Sequence, residues 1–306
     1  MIQTIIKAAF VVLLSTAACA QDSLNIHRVG ETTYWMQAYY LAVSGSHAYV
    51  SSGGSGLRVL DLADPASPRE VGYYNDGSFA FMPSADVAAA ANLVFLTATN
   101  SYLLIFDVSN PASPQLVGHT DQSYGYSLVA VVDSLVCLAG DGEFKVWNVA
   151  NPAAPIYLGW CEIPLSLNDM DLQGQYVYLA CGDATLRTVD LANPAYPEIT
   201  GVYFTGGPAN AVKVQDSLAC VTVGSNQLQI LNITNPGLTH LQGSCTLPGS
   251  GLNLALAGHT LYISVDSSLQ IVSIANPSFP TVVGQCDLGD QAAAAAFYAN
   301  HALVST

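Results

Sequence analysis

Asp64-Pro65-Ala66-Ser67-Pro68 is the first writing of a phrase that occurs six times in this chain. It returns as Asn110-Pro111-Ala112-Ser113-Pro114, Asn151-Pro152-Ala153-Ala154-Pro155, Asn193-Pro194-Ala195-Tyr196-Pro197, Asn235-Pro236-Gly237 and Asn276-Pro277-Ser278-Phe279-Pro280. The first prolines stand 46, 41, 42, 42 and 41 residues apart. A glycine follows each by seven: Gly72, Gly118, Gly159, Gly201, Gly243 and Gly284. A period in the low forties is the length of one β-propeller blade, so the repeat predicts an all-β ring of radial sheets.

Residues 209–249 show how one copy becomes a blade. Val212 and Val214 mark a first strand, residues 218–223 a second, 228–233 a third and 241–246 a fourth, with turn residues such as Gly224-Ser225-Asn226 between them. Four short strands joined by tight turns make one antiparallel blade. The Asx-Pro turn falls between the third and fourth strands. There the Asx side chain accepts a nearby backbone N–H, and proline presets φ for the bend.

The ends of the chain complete the count. Gly30 lies 42 residues before Gly72, so residues 24–30 read as a fourth strand without its predecessors. Residues 293–306 match residues 39–52, with His301 on His47, and supply a first and second strand. Joining the two ends closes the ring and removes the exposed sheet edge, which predicts seven blades. The alternative is six complete blades plus a partial one. The composite blade has no third strand of the repeat type: either it has three strands, or the natural chain continues past Thr306.

Hydrophobic residues make up 51% of the chain and charged residues only 9%, about a third of the usual charged share. Stacked blades explain this, because strands buried on both faces need not alternate with polar residues. Beyond the N-terminus no uninterrupted apolar run approaches the roughly 20 residues of a spanning helix. The strand runs are also shorter than the ~10-residue strands of an outer-membrane barrel.

Residues 1–20 are a separate object. Lys7 precedes an apolar run and small residues follow it, which is the layout of an export signal peptide. Ala18-Cys19-Ala20 fits a small-x-small cleavage site, leaving a propeller domain over residues 21–306. A second reading takes Thr16-Ala17-Ala18-Cys19 as a lipobox, with Cys19 lipidated and the protein anchored. Thr16 stands where that pattern prefers Leu, which favours plain cleavage. Either route takes the protein out of the cytoplasm, to the periplasm, the cell surface or the medium.

The net charge is −15, and removing Lys7 with the leader makes it −16. Such a surface repels phosphate backbones, so no nucleic-acid partner is expected. Six cysteines remain after the leader. Cys161, Cys245 and Cys286 fall on the fourth strands of three blades, and Cys137, Cys181 and Cys220 on second strands. That spread favours buried thiols over a disulfide framework, with one or two bridges within a blade as the alternative.

Leu57-Arg58-Val59-Leu60-Asp61-Leu62, followed by Ala63-Asp64-Pro65-Ala66-Ser67-Pro68, resembles the LVIVD repeat of bacterial and archaeal exported proteins. Leu104-Ile105-Phe106-Asp107-Val108-Ser109-Asn110-Pro111 matches it equally well, and the resemblance covers nearly all of residues 24–306. It implies a cell-surface propeller, and it implies no chemistry.

Candidate sites come from the repeat slots. His47, His259 and His301 share one repeat slot, His27 and His240 another, and His119 is alone in its slot; equivalent slots spread around a ring cannot converge on one metal, so neither a metal nor a cofactor is expected. First strands line the axial channel of a propeller. Ala42, Ala88, Ala130, Asp171, Lys213, Ala255 and Ala296 stack in one slot, so Asp171 and Lys213 should pair between neighbouring blades. Asp86, Asp169 and Asn253 occupy the slot two residues earlier. Together these five make a channel site for a cation or polar ligand, or a structural salt bridge with solvated carboxylates. Connections from a fourth strand to the next blade all emerge on one face and are rich in aromatics. Trp35, Phe79, Phe81, Tyr124, Tyr126 and Trp160 are the candidates for ligand binding there. The expectation is a non-catalytic module that binds a protein or glycan at the cell envelope. The alternative is an exported lyase or hydrolase using the channel carboxylates.

Overall fold

Each copy of the repeat folds into a four-stranded antiparallel sheet whose strands follow one another in the chain. The structure is a computed structural model. It describes residues 38, 40–52, 55–64, 67–77, 86–97, 102–120, 127–288, 294–298 and 301–305 in full, and the strands Ala9–Thr16 and Ile26–Tyr34 as backbone. Six consecutive sheets form blades I (residues 40–74), II (87–119), III (128–162), IV (167–204), V (209–246) and VI (251–287). The seventh is composite: Ala294–Tyr298 and His301–Ser305 come from one end of the sequence, Ala9–Thr16 and Ile26–Tyr34 from the other.

Each apolar core lies between two blades. Seven buried clusters occur among the described residues, and each joins one adjacent pair of sheets. The one between blades VII and I brings Leu303 and Ala294 against Leu41, Ala48, Val50 and Leu60, which closes the ring. Second strands are buried on both faces, as in Leu218–Val223, which accounts for their unbroken apolar runs. Burying one such Leu or Val contributes about 1.5–3 kcal/mol, and that gain is realised only when the neighbouring blade is present.

The recurring phrase has two structural roles. In its turn, the carbonyl of the Asx accepts the N–H three residues on, at 2.9–3.0 Å in all six copies. The side chains of Asn193, Asn235 and Asn276 also accept the N–H two residues on, each at 3.2 Å. The glycine seven residues later lies just past a β-bulge: Val59 faces Gly72 while Leu60 faces Glu70, and the same skip recurs in blades II to VI. In blades I to V a side chain at that glycine would collide with the backbone of the next blade's Asx-Pro turn. Gly72 lies on Pro111 and Ala112, Gly159 on Ala195, and Gly243 on Pro277 and Ser278. Turn and glycine are therefore the two halves of one joint between blades.

In the composite blade the third place is filled, in contrast to the three-stranded alternative. Ala9–Thr16 lies antiparallel between His301–Ser305 and Ile26–Tyr34. The fourth strand runs over Ile26–Tyr34 rather than residues 24–30, and its register skips at Gly30, as in the other blades. Cys137, Cys161, Cys181, Cys220, Cys245 and Cys286 are free thiols. Burial pushes Cys137 and Cys220 up to about 12, which leaves them unreactive at neutral pH.

Candidate binding surfaces

The first strands of all seven blades line an axial cavity of about 440 Å³. Tyr40, Asp86, Asp169, Asp171, Lys213 and Asn253 are its polar wall. Two slots of the repeat alignment thus become one ring of side chains around the axis. The ammonium of Lys213 lies 3.8 Å from Oδ1 of Asp171, across the IV–V junction.

The other oxygens are less free than the sequence suggested. Asp86 Oδ2 accepts the Val129 N–H of the next blade at 2.9 Å, and its Oδ1 accepts its own neighbour's N–H from Val87 at 2.8 Å. Asp169 repeats both bonds with Val212 and Met170, each at 2.8 Å. Asn253 Oδ1 takes Ala295 N–H at 3.0 Å, and Asp171 Oδ2 takes Val214 N–H at 2.7 Å. These side chains fasten blade II to III, IV to V and VI to VII. The expected solvated carboxylates are thus bonded to backbone donors, because the first strand of the next blade turns its N–H groups toward them.

The field inside the ring follows from this packing. Burial pushes the Asp86 carboxyl up to about 7, with the Asp169 charge adding to the rise and the two N–H bonds opposing it. Burial raises Asp169 as well, against the pull of Lys213. Burial alone would depress Lys213, but Asp171, Asp169 and Asp86 together hold it above its ordinary value. For Asp86 the sign is that of an acid raised on folding. The folded chain binds its proton more tightly than the unfolded one between about pH 4 and 7. Stability should therefore fall across that window and level off above it. Asp86→Asn, which retains an oxygen for Val129, is expected to flatten that slope in thermal melts taken from pH 4 to 8. An unchanged slope would assign it to other groups.

Among the described residues no three His, Cys, Asp or Glu side chains stand in a metal-binding arrangement. Arg58, Arg69, Lys145, Arg187 and Lys213 each lie within 4.0 Å of a carboxylate. No basic patch is therefore built from them.

Trp160, expected in the connection after blade III on the face of the inter-blade connections, lies instead within the outer strand Ile156–Glu162, paired with Lys145 and 52% exposed, two residues before that strand ends. Leu165 follows it at 82% exposure, and Phe204 ends the outer strand of blade IV at 77%. Trp35, Phe79, Phe81, Tyr124, Tyr126 and Cys19 lie outside the described residues. The opposite face carries a feature that the sequence reading passed over. The fourth residue of the Asx-Pro turn is Tyr196, Leu238 and Phe279 in blades IV, V and VI, exposed at 78, 71 and 73%. Aligning the turns already sets these apart from Ser67, Ser113 and Ala154.

The LVIVD repeat profile matches residues 37–76, 84–122, 167–205, 206–246 and 248–288. No curated protein sequence matches the chain. Solved structures match in fold at low identity. A chain of the mitotic checkpoint complex superposes with a TM-score of 0.70 at 13% identity, covering 95% of this chain and 93% of that one. The computationally designed Ika8 protein gives 0.66 at 13% identity, covering 89% and 94%. Sqt1 of Saccharomyces cerevisiae gives 0.64 at 9%, covering 86% and 78%. At such identities the likeness concerns the ring alone.

Proposed function

The chain belongs to the LVIVD-repeat family, and from that premise we propose that it is an exported, non-catalytic propeller that binds a protein or glycan partner at the cell envelope. The leader layout of residues 1–20 supports export, with Cys19 as the lipidation point if the chain is anchored. Among the described residues no helix is long and apolar enough to cross a membrane.

One observation carries the binding reading. Large apolar side chains stand exposed where the outer strands of blades III and IV run into the inter-blade connections, at Trp160, Leu165 and Phe204. The channel's carboxylates are meanwhile occupied in holding blades together. Aromatic groups on a rigid frame give large contact area with little ordering cost, which suits recognition. Phe79, Phe81, Tyr124, Tyr126 and Trp35 fall in connecting segments of the sequence and are proposed as further contacts.

The enzyme alternative draws on Asp86, whose carboxyl at about 7 is in the range of a general acid or base. Both of its oxygens already accept backbone N–H groups, which weighs toward a structural role. The test is retention of partners from the native envelope by the mature chain. Trp160→Ala with Phe204→Ala should lower retention at least roughly tenfold, as truncating two interface anchors does, with the melting curve unchanged. Unchanged retention would remove these two from the binding surface. Loss of a measured turnover in Asp86→Asn, with the fold intact, would favour the enzyme.

A further inference from the structure

Trp147 carries a polar group at a position where blades I, II, IV, V and VI carry none. It is the fourth residue of the third strand of blade III, and its counterparts are Leu60, Phe106, Val189, Leu231 and Val272. Each of these packs toward the preceding blade, and Trp147 joins the core between blades II and III. The indole is 5% exposed and meets the ring of Tyr157 edge-on, with the centroids 5.4 Å apart. Its Nε1–H is buried and has no hydrogen-bond partner among the described residues. A buried donor without an acceptor is unfavourable, and native proteins keep few of them.

The same indole is part of the wall of a pocket of about 500 Å³ at the outer edge of the ring, between blades II and III. Leu116, Val117 and His119 of the outer strand of blade II line one side, and Ala154 and Pro155 of the next Asx-Pro turn line the other. Two local features leave the space. The outer strand of blade II stops after five residues at His119, whereas those of blades III to VI run for seven. The fourth turn residue of blade III is Ala154, where blades IV to VI carry Tyr196, Leu238 and Phe279. The other polar side chains of the wall are engaged. Thr120 Oγ1 accepts the Leu103 N–H at 3.1 Å, and His119 Nδ1 lies 3.4 Å from the Thr120 carbonyl oxygen. Among the described residues no lysine, arginine or carboxylate lines the pocket.

We infer that this pocket binds a small, neutral, apolar molecule bearing one carbonyl group, whose oxygen accepts the Trp147 Nε1–H. Each part of that description answers a feature of the wall. The apolar body matches Leu116, Val117, Ala154 and Pro155, which would leave the hydroxyl groups of a sugar without partners. The single acceptor matches the unbonded indole N–H. Neutrality follows from the surroundings, because a carboxylate would enter a pocket without lysine or arginine in a chain of net charge −15. The volume falls within the roughly 300–1,000 Å³ of small-molecule sites. The pocket is distinct from the exposed side chains of Trp160, Leu165 and Phe204, and its occupant does not depend on the protein or glycan partner proposed for them.

The test uses the whole chain with isotope-labelled tryptophan nitrogen, and acetophenone as the probe. Trp35, Trp147 and Trp160 give three indole N–H resonances, and Trp147→Phe identifies the one that belongs to Trp147. Acetophenone is expected to move that resonance saturably and to leave the Trp160 resonance in place. Isopropenylbenzene has the same shape, with a methylene group where acetophenone has its carbonyl oxygen. It should bind at least about tenfold more weakly, because it leaves the indole donor unpaired. In Trp147→Phe, which keeps a ring but no donor, ligand-observed NMR should find the two probes equal. Absence of a saturable shift at Trp147, a shift confined to Trp160, or equal binding of the two probes by the unaltered chain would each overturn the inference. Discrimination that persists in Trp147→Phe would overturn it as well. Should that variant not fold, Trp35→Phe and Trp160→Phe identify the Trp147 resonance by elimination, and the two probes on the unaltered chain decide the matter.

Discussion

Gly243→Ala is expected to destabilise the propeller by about 3 kcal/mol, because one added methyl group has nowhere to go. Gly243 sits just past the bulge of blade V, with its Cα against the backbone of Pro277 and Ser278 in the turn of blade VI. That turn is not soft: Phe279 N–H is bonded to the Asn276 carbonyl at 2.9 Å, and Ser278 N–H to the Asn276 side chain at 3.2 Å. Backbone on both sides of the contact means that neither side relaxes by a rotamer change. The blades have to separate instead, which opens the core around Leu228, Ile230 and Leu254. For a domain of this size the loss reads as a drop of roughly 5–10 °C in melting temperature. Gly207→Ala is the control, since its Cβ would make only ordinary contacts of 3.4 Å or more. Equal melting of the two variants would mean that the joint between blades is looser than this packing.

The joint also shows which parts of the fold could be read in one dimension. Asx, proline and glycine recur because each answers a local backbone demand, and local demands leave marks at fixed spacing. The purpose of the glycine was not legible, because its contact belongs to the next repeat. The channel was legible in part for the same reason. Repeat slots map to heights along the axis, so Asp171 and Lys213 were expected to meet, and they do at 3.8 Å. The bonds from Asp86, Asp169 and Asn253 to the next first strand were not foreseeable, since their donors are backbone N–H groups that every sequence shares. The third strand of blade VII was hidden differently. Residues 9–16 contain neither the Leu-x-Val pattern nor the Asx-Pro turn, and their apolar run has a competing explanation as a leader. The exposed Tyr196, Leu238 and Phe279 were visible in the alignment of turns. They were passed over because attention went to the aromatic connections on the other face.

Lys213→Met should cost about 2 kcal/mol or more at pH 8, and most of that loss should return near pH 5. Among the described residues Lys213 is the one cation on the polar wall of the cavity, where it offsets Asp171, Asp169 and Asp86. Removing one partner of a fully buried pair costs about 3–5 kcal/mol; the lysine side chain retains 31% exposure, so solvent screening reduces the figure. The signs separate the lysine from its neighbours. A lysine held above its ordinary value contributes stability that is fully present below about pH 10 and lost only at higher pH, so it gives no slope between pH 5 and 8. Asp86 and Asp169 are acids already raised by burial, and loss of the ammonium raises them further. In the variant Asp86, already up at about 7, takes up its proton between pH 8 and 5, and the rise at Asp169 acts in the same direction, which discharges the repulsion and restores stability. Adding Asp171→Asn to Lys213→Met should recover part of the loss at pH 8, since the amide still accepts the Val214 N–H while carrying no charge. Urea unfolding of the single and double variants at both pH values decides the matter. A deficit that is the same at pH 5 and pH 8 would mean that Lys213 acts through the packing of its aliphatic stem rather than by balancing the carboxylates around the axis.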